Sequence, residues 1–377
     1  MALLASHTDA YLSNPGVSGL HAPFVVPPVP GPIVPGPGGG GGGGMVRAML
    51  AGGGDGITGR IGAAPVAGTP WVTSIDTGLA FGGFPDVCYG NGMYAALLTA
   101  GADPPRVYRS ADLVTWNWAG LGPFQDPGGP HAFTRALYWS TAKAQYYCYC
   151  SDFAPFWWAR VLYSADLITW NRAANPIQGG ALVACRFLFV TNAGTLLGCM
   201  ASAPFDSVRR SINDGGAWAN AVFAANIQNS AMMGQAPGGN IYLLGTLGGP
   251  VLRQSVDDGQ NFTAVATVAW GGMTQANYFT VTPAGTLLAS QAGQIYRSVD
   301  GGINWTAAVM PAVVVITRIR SENGGVIWAL GASALGTVLL TSVDEGANWT
   351  QVFDGAMLAG AVPEGVGAIG SALEYER

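Results

Sequence analysis

The sequence predicts an all-β fold, a seven-bladed β-propeller carried on an extended N-terminal arm, and three observations lead there. Charged residues make up 10% of the chain while 57 of its 377 residues are Gly and 12 are Trp. That balance favours short strands, tight turns and packed aromatics over amphipathic helices. A short motif recurs at intervals of 43 to 54 residues. A Pro- and Gly-rich stretch is confined to residues 1–62.

The motif is Ser-x-Asp-x-Gly-x-x-Trp. It is complete at Ser298, Asp300, Gly302, Trp305 and at Ser342, Asp344, Gly346, Trp349, and Phe262 takes the aromatic place after Ser255, Asp257 and Gly259. Ser211, Gly215 and Trp218 keep it with Asn213 in the acidic place, while Ser110, Asp112, Trp116 and Ser164, Asp166, Trp170 form a shorter version without the glycine. The spacing is that of one four-stranded propeller blade. Each motif follows a strand-like run, such as residues 251–254 or 294–297, and precedes a second one. The Ser and Asp side chains accept hydrogen bonds from backbone N–H groups a few residues on, and Gly supplies a positive φ, so the motif closes a tight hairpin. The Trp is expected to cover that turn and fill the wedge between sheets. The motif reads as a structural fastener and not as a catalytic site.

Six motifs leave a seventh unit to be built from the ends of the region. Residues 64–71 keep Gly68 and Trp71 in phase, and residues 357–377 align without gaps on residues 278–298. The expectation is one domain over 63–377, with three strands of its last blade from the C-terminal end and the fourth from the N-terminal side. Such closure leaves no exposed sheet edge.

Residues 23–44 read PFVVPPVPGPIVPGPGGGGGGG. Proline favours extended polyproline II, and seven consecutive glycines hold no structure alone. Residues 1–62 are therefore expected to be an extended anchoring arm that joins a larger assembly, with a virion the leading candidate and a secreted or cell-surface setting the alternative. A bias of 15 Arg to a single Lys, with abundant Ala and Gly, is compatible with a bacteriophage of a high-GC host. The expected partners are other virion proteins through the arm and a host surface glycan at the propeller, with a homo-oligomer as the assembly.

A net charge of −5 with only Lys143 as lysine leaves no basic patch for phosphates, so nucleic acid is not an expected partner. Residues 1–13 lack a cationic start and an apolar core, which argues against a secretory signal, and the longest apolar run, 307–317, is too short to span a bilayer. Five cysteines without a C-x-x-C pair argue against zinc, and buried thiols are the expected state; Cys185 and Cys199 could face each other across a hairpin turning at residues 192–194. No cofactor and no metal are expected, since two of the three histidines lie in the arm.

On the repeated motif, residues 63–377 resemble the sialidase-type Asp-box propellers, also called bacterial neuraminidase repeat propellers. The resemblance implies that the boxes sit on the turns between the third and fourth strands, on one face of the ring. It also implies that ligands bind on the opposite face. Two long insertions fall on that second face: residues 120–131, with Asp126 and His131, and residues 151–159, with Phe156, Trp157 and Trp158. Exposed aromatics stack well on sugars. A sialidase implies an arginine triad, for which Arg135, Arg186 and Arg318 on expected innermost strands are the candidates. The Arg-Ile-Pro sequence of the first triad arginine is absent, however, and every Glu lies beyond residue 321. An arabinanase-like glycosidase would place its base at Asp86, with Asp126 and Asp152 as further carboxylates, but no Glu acid is at hand. The sequence therefore favours a non-enzymatic attachment protein, with a sialidase- or arabinanase-like hydrolase, a carbohydrate-binding propeller or a purely decorative assembly protein as alternatives.

Overall fold

The computed structural model describes residues 48–53, 58–64, 72–80, 86–100, 103–112, 115–120, 133–151, 159–177, 184–201, 207–223, 227–246, 249–274, 276–313, 315–321, 327–333, 336–354 and 372–375. Among them there are strands and turns and no helix. The fold is an all-β propeller.

The chain enters it through Ala48–Gly53 (β1), Thr58–Ala64 (β2) and Val72–Ala80 (β3). The first box-bearing blade is Asp86–Gly90 (β4), Met93–Ala100 (β5), Asp103–Ser110 (β6) and Asn117–Gly120 (β7). The second is Phe133–Ser140 (β8), Gln145–Ser151 (β9), Ala159–Ser164 (β10) and Asn171–Arg172 (β11), and the third Ala184–Val190 (β12), Leu196–Ala201 (β13), Ser207–Ser211 (β14) and Ala219–Asn220 (β15). Val222–Phe223 (β16) crosses to the fourth blade, which comprises Gln228–Gln235 (β17), Ile241–Thr246 (β18), Pro250–Ser255 (β19) and Asn261–Ala264 (β20). The fifth is Tyr278–Val281 (β21), Leu287–Gln291 (β22), Gln294–Ser298 (β23) and Thr306–Ala307 (β24). The sixth is Val315–Ser321 (β25), Ile327–Ser333 (β26), Gly336–Ser342 (β27) and Thr350–Asp354 (β28). Ala372–Tyr375 (β29) pairs with β1.

Within each blade the strands are antiparallel and follow chain order from the first strand outward. The first strands β4, β8, β12, β17, β21 and β25 stand side by side in that order, and β29 packs beside both β25 and β4. The Asp box builds six blades and not seven. The remaining sheet, in the order β29-β1-β2-β3, has no box.

That sheet corrects two expectations. Its strands divide one from the C-terminal end and three from the N-terminal side, the reverse of the division that the alignment of residues 357–377 implied. The expected boundary between residues 62 and 63 falls inside β2, because the two apolar runs of β1 and β2 flank a Gly-Asp-Gly turn signal and pair as a hairpin. Trp71 lies outside the described residues, and β3 starts at the next position.

The core lies between neighbouring sheets, in a series of wedges. Trp305, 2% exposed, packs with Leu252 and Leu287 between the fourth and fifth blades. Trp349 packs with Leu288 and Ile319 between the fifth and sixth, and Phe262 packs with Leu197 and Leu243 between the third and fourth. Trp170 fills the wedge between the first and second with Leu97 and Leu137. A register shift on β12 sets Cys185 opposite Met200 and Cys199 opposite Phe187. The two sulfurs then belong to different wedges, so this pair is not a disulfide.

Candidate functional site

The boxes account for their own residues. In the fifth blade Ser298 Oγ donates to Asp300 Oδ1 at 2.7 Å and accepts the Gly302 N–H at 2.9 Å, while Asp300 Oδ1 accepts the Asn304 N–H at 2.9 Å. The Asn304 side-chain amide donates to Asp300 Oδ2 at 2.8 Å. Ser342, Asp344, Gly346 and Asn348 repeat the pattern, as do Ser255, Asp257, Gly259 and Asn261. Ser211 does so with Asn213, whose amide oxygen accepts the Ala217 N–H. The shorter boxes use Asp112 and Asp166 in the same way. The N-x-T sequences at Asn261, Asn304 and Asn348 are thus box closures.

These bonds set the electrostatics. Burial alone would raise the Asp300 carboxyl, but hydrogen bonds from the Asn304 N–H and side-chain amide, Ser298 and Ile303 together hold it at about 2. Asp257 and Asp344 are lowered by the same balance, and Asp166 is lowered chiefly by the Thr169 N–H. These four carboxylates are held in the ionised form by their donors, a poor state for proton transfer.

Sequence reasoning missed a set of latches between blades. The residue before the box serine reaches the next blade: Arg109 donates to the Asp166 carbonyl at 3.3 Å, Arg210 to the Asp258 carbonyl at 2.9 Å, and Arg297 to the Glu345 carbonyl at 3.1 Å. Arg210 also pairs with the Asp258 carboxylate at 3.0 Å. Asp214, Asp258 and Glu345 each hold φ 57° and accept hydroxyl bonds from the preceding blade, from Tyr147, Thr195 and Thr282 respectively. The signal was present as Arg before Ser and an acidic residue after the box Asp or Asn, but its meaning needs the neighbouring blade.

The strand ends opposite the boxes flank the two insertions on which binding residues were expected. Phe133 pairs with Ser151, and Ser151 with Ala159, so the two insertions of the second blade open from adjacent strand ends. Asp126, His131, Phe156, Trp157 and Trp158, like Asp152, lie outside the described residues. Arg135 and Arg186 lie near the starts of β8 and β12, with their side chains outside the description. Arg318 lies at the middle of β25, its guanidinium 5.5 Å from the centre of the Tyr278 ring on β21. Register shifts fall at all three arginines: between Arg135 and Leu137, around Arg186, and between Ile316 and Arg318. Bulges of this kind re-aim side chains at strand ends. The three strands are not consecutive, since β29 and β4 separate β25 from β8. Asp86 begins β4 with its side chain outside the description. Among the described residues no three His, Cys, Asp or Glu side chains group as metal ligands would.

No protein-family model matches the chain, and no curated protein is significantly similar to it. Solved structures are similar in fold. A Lactobacillus plantarum protein aligns at 11% identity with a TM-score of 0.58, covering 88% of this chain and all of that one. A puromycin hydrolase aligns at 11% identity and 0.58, covering 82% of this chain and 54% of its own. The Hadza microbial sialidase Hz136 aligns at 13% identity and 0.47, covering 73% and 71%. The two likenesses at a TM-score of 0.58 support the fold and say nothing of its chemistry.

Proposed function

We propose that this chain is a non-enzymatic attachment module, held on a larger particle by the segment preceding Ala48 and presenting a propeller face to a surface glycan. In this reading the box-less sheet is the seventh blade, closed by both ends of the region. The observation that supports the reading is that the chain enters the described region on one face while the strand ends flanking the two insertions lie on the other. Ala48 pairs with Ala64, as Ile327 pairs with the box residue Ser342, so the chain enters this sheet level with the boxes. The strand ends that flank the two insertions, at Phe133, Ser151 and Ala159, lie on the other side.

A virion surface is the setting that the Pro/Gly-rich composition of residues 23–44 favours, with other virion proteins as partners of the arm. Phe156, Trp157 and Trp158 supply stacking surfaces, and Arg135 and Arg186 supply cationic partners for an acidic sugar.

The full chain is expected to bind on a glycan array, and Trp157→Ala with Trp158→Ala to lose at least tenfold in signal. Absence of glycan binding by the unaltered chain would leave a decorative role. Turnover of a fluorogenic glycoside that disappears in Asp86→Asn would replace attachment with hydrolysis.

A further inference from the structure

In each box the residue between Ser and Asp faces solvent. In blades three to six it is Ile212, Val256, Val299 and Val343, exposed by 62, 77, 67 and 66%. In blades one and two it is Ala111 and Ala165, so the large apolar side chains occupy consecutive blades on one side of the ring. The links between those blades add to them. Val268, on the segment that donates its N–H to the Ile303 carbonyl, is 79% exposed, and Val309, whose N–H bonds Ala347, is 67% exposed. Single exposed valines are ordinary, but one chosen position repeated across four neighbouring blades makes a track.

The track begins beside the place where the arm leaves. The box-less sheet stands next to the sixth blade, and Ala48 is level with that blade's box. Residues 23–37 are PFVVPPVPGPIVPGP, apolar and without charge, and residues 38–47 join them to β1. Ten residues reach up to about 33 Å. Fifteen residues of polyproline II extend about 46 Å, while three steps between packed sheets cover about 30 Å. The segment is long enough to cover the track from Val343 back to Ile212, and its linker is long enough to place it there.

We propose that residues 23–37 of the same chain seat across the box face, over Val343, Val299, Val256 and Ile212. Apolar surface on both partners leaves water, and polyproline II loses little further freedom on docking. Residues 1–22 are left to reach a partner, so the propeller is held by its box face and not on a loose tether. This inference does not depend on what the partner is or on glycan binding.

The test uses the full chain with a benzophenone amino acid in place of Val299. Irradiation is expected to give an intramolecular cross-link mapping to residues 23–37, reduced at least fivefold in a chain carrying Phe24→Ser, Val25→Ser and Val26→Ser with an unchanged melting temperature. Those three changes lie outside the propeller, so folding is preserved. Cross-links between copies, cross-links to other segments, or a yield indifferent to the three serines would each overturn the proposal. Loss of particle attachment with the cross-link intact would count against the anchoring role alone.

Discussion

At the residue scale, the box glycines meet two demands at once. Gly302 has φ +94°, and a Cβ there would lie 2.1 Å from Leu252 Cδ2 of the preceding blade. Gly272 has φ +95° with nothing within 4 Å of such a Cβ. The pair separates backbone strain from crowding. Gly272→Ala is expected to cost about 1–2 kcal/mol through φ alone, and Gly302→Ala a further 1–3 kcal/mol or so because the buried Leu252 must shift. Urea unfolding of the two variants checks this, and equal losses would show that the wedge gives way freely. The requirement for φ was legible in the Ser-x-Asp-x-Gly spacing. The crowding was not, because Leu252 precedes Gly302 by a whole blade.

At the scale of the element, each box is a small acid-sensitive clasp. Asp166, Asp257, Asp300 and Asp344 all have carboxyls held below their ordinary range. A carboxyl depressed in the folded state contributes stability above its unfolded value, near 4, and that contribution fades as pH falls through its folded value. For Asp300 the window runs from roughly pH 4 down to about 2. The third blade already uses Asn213 in this place and keeps the bond to the Ala217 N–H. Converting the four aspartates to asparagine is therefore expected to flatten the fall in melting temperature between pH 5 and 2 while leaving the fold intact. A fall as steep as that of the unaltered chain would assign acid sensitivity to other groups. The hairpins themselves were readable from strand-like runs before each motif. The side-chain bonds by which Asn261, Asn304 and Asn348 close the boxes became visible only in the structure.

At the scale of the whole molecule, closure is the property on which the loops and latches depend. β29 is four residues long, yet it pairs with β1 and packs beside both β25 and β4. Deleting residues 372–377 is expected to expose the edge of β1, lower the melting temperature by more than any single box substitution, and promote association through the open edge. Calorimetry and light scattering read both effects, and an unchanged transition would mean that the ring closes without this strand. By itself the sequence determined the all-β class, the six boxed blades and the wedge aromatics, because a local hairpin signature repeated in period is information carried within a few residues. Only the tertiary structure decided how the last sheet divides between the chain ends, which blades are latched by arginine, and that the strand ends flanking the two insertions are level with each other. Each of those is a contact between segments distant in the chain, set by strand register and neighbouring packing, and no local pattern of residue types encodes it.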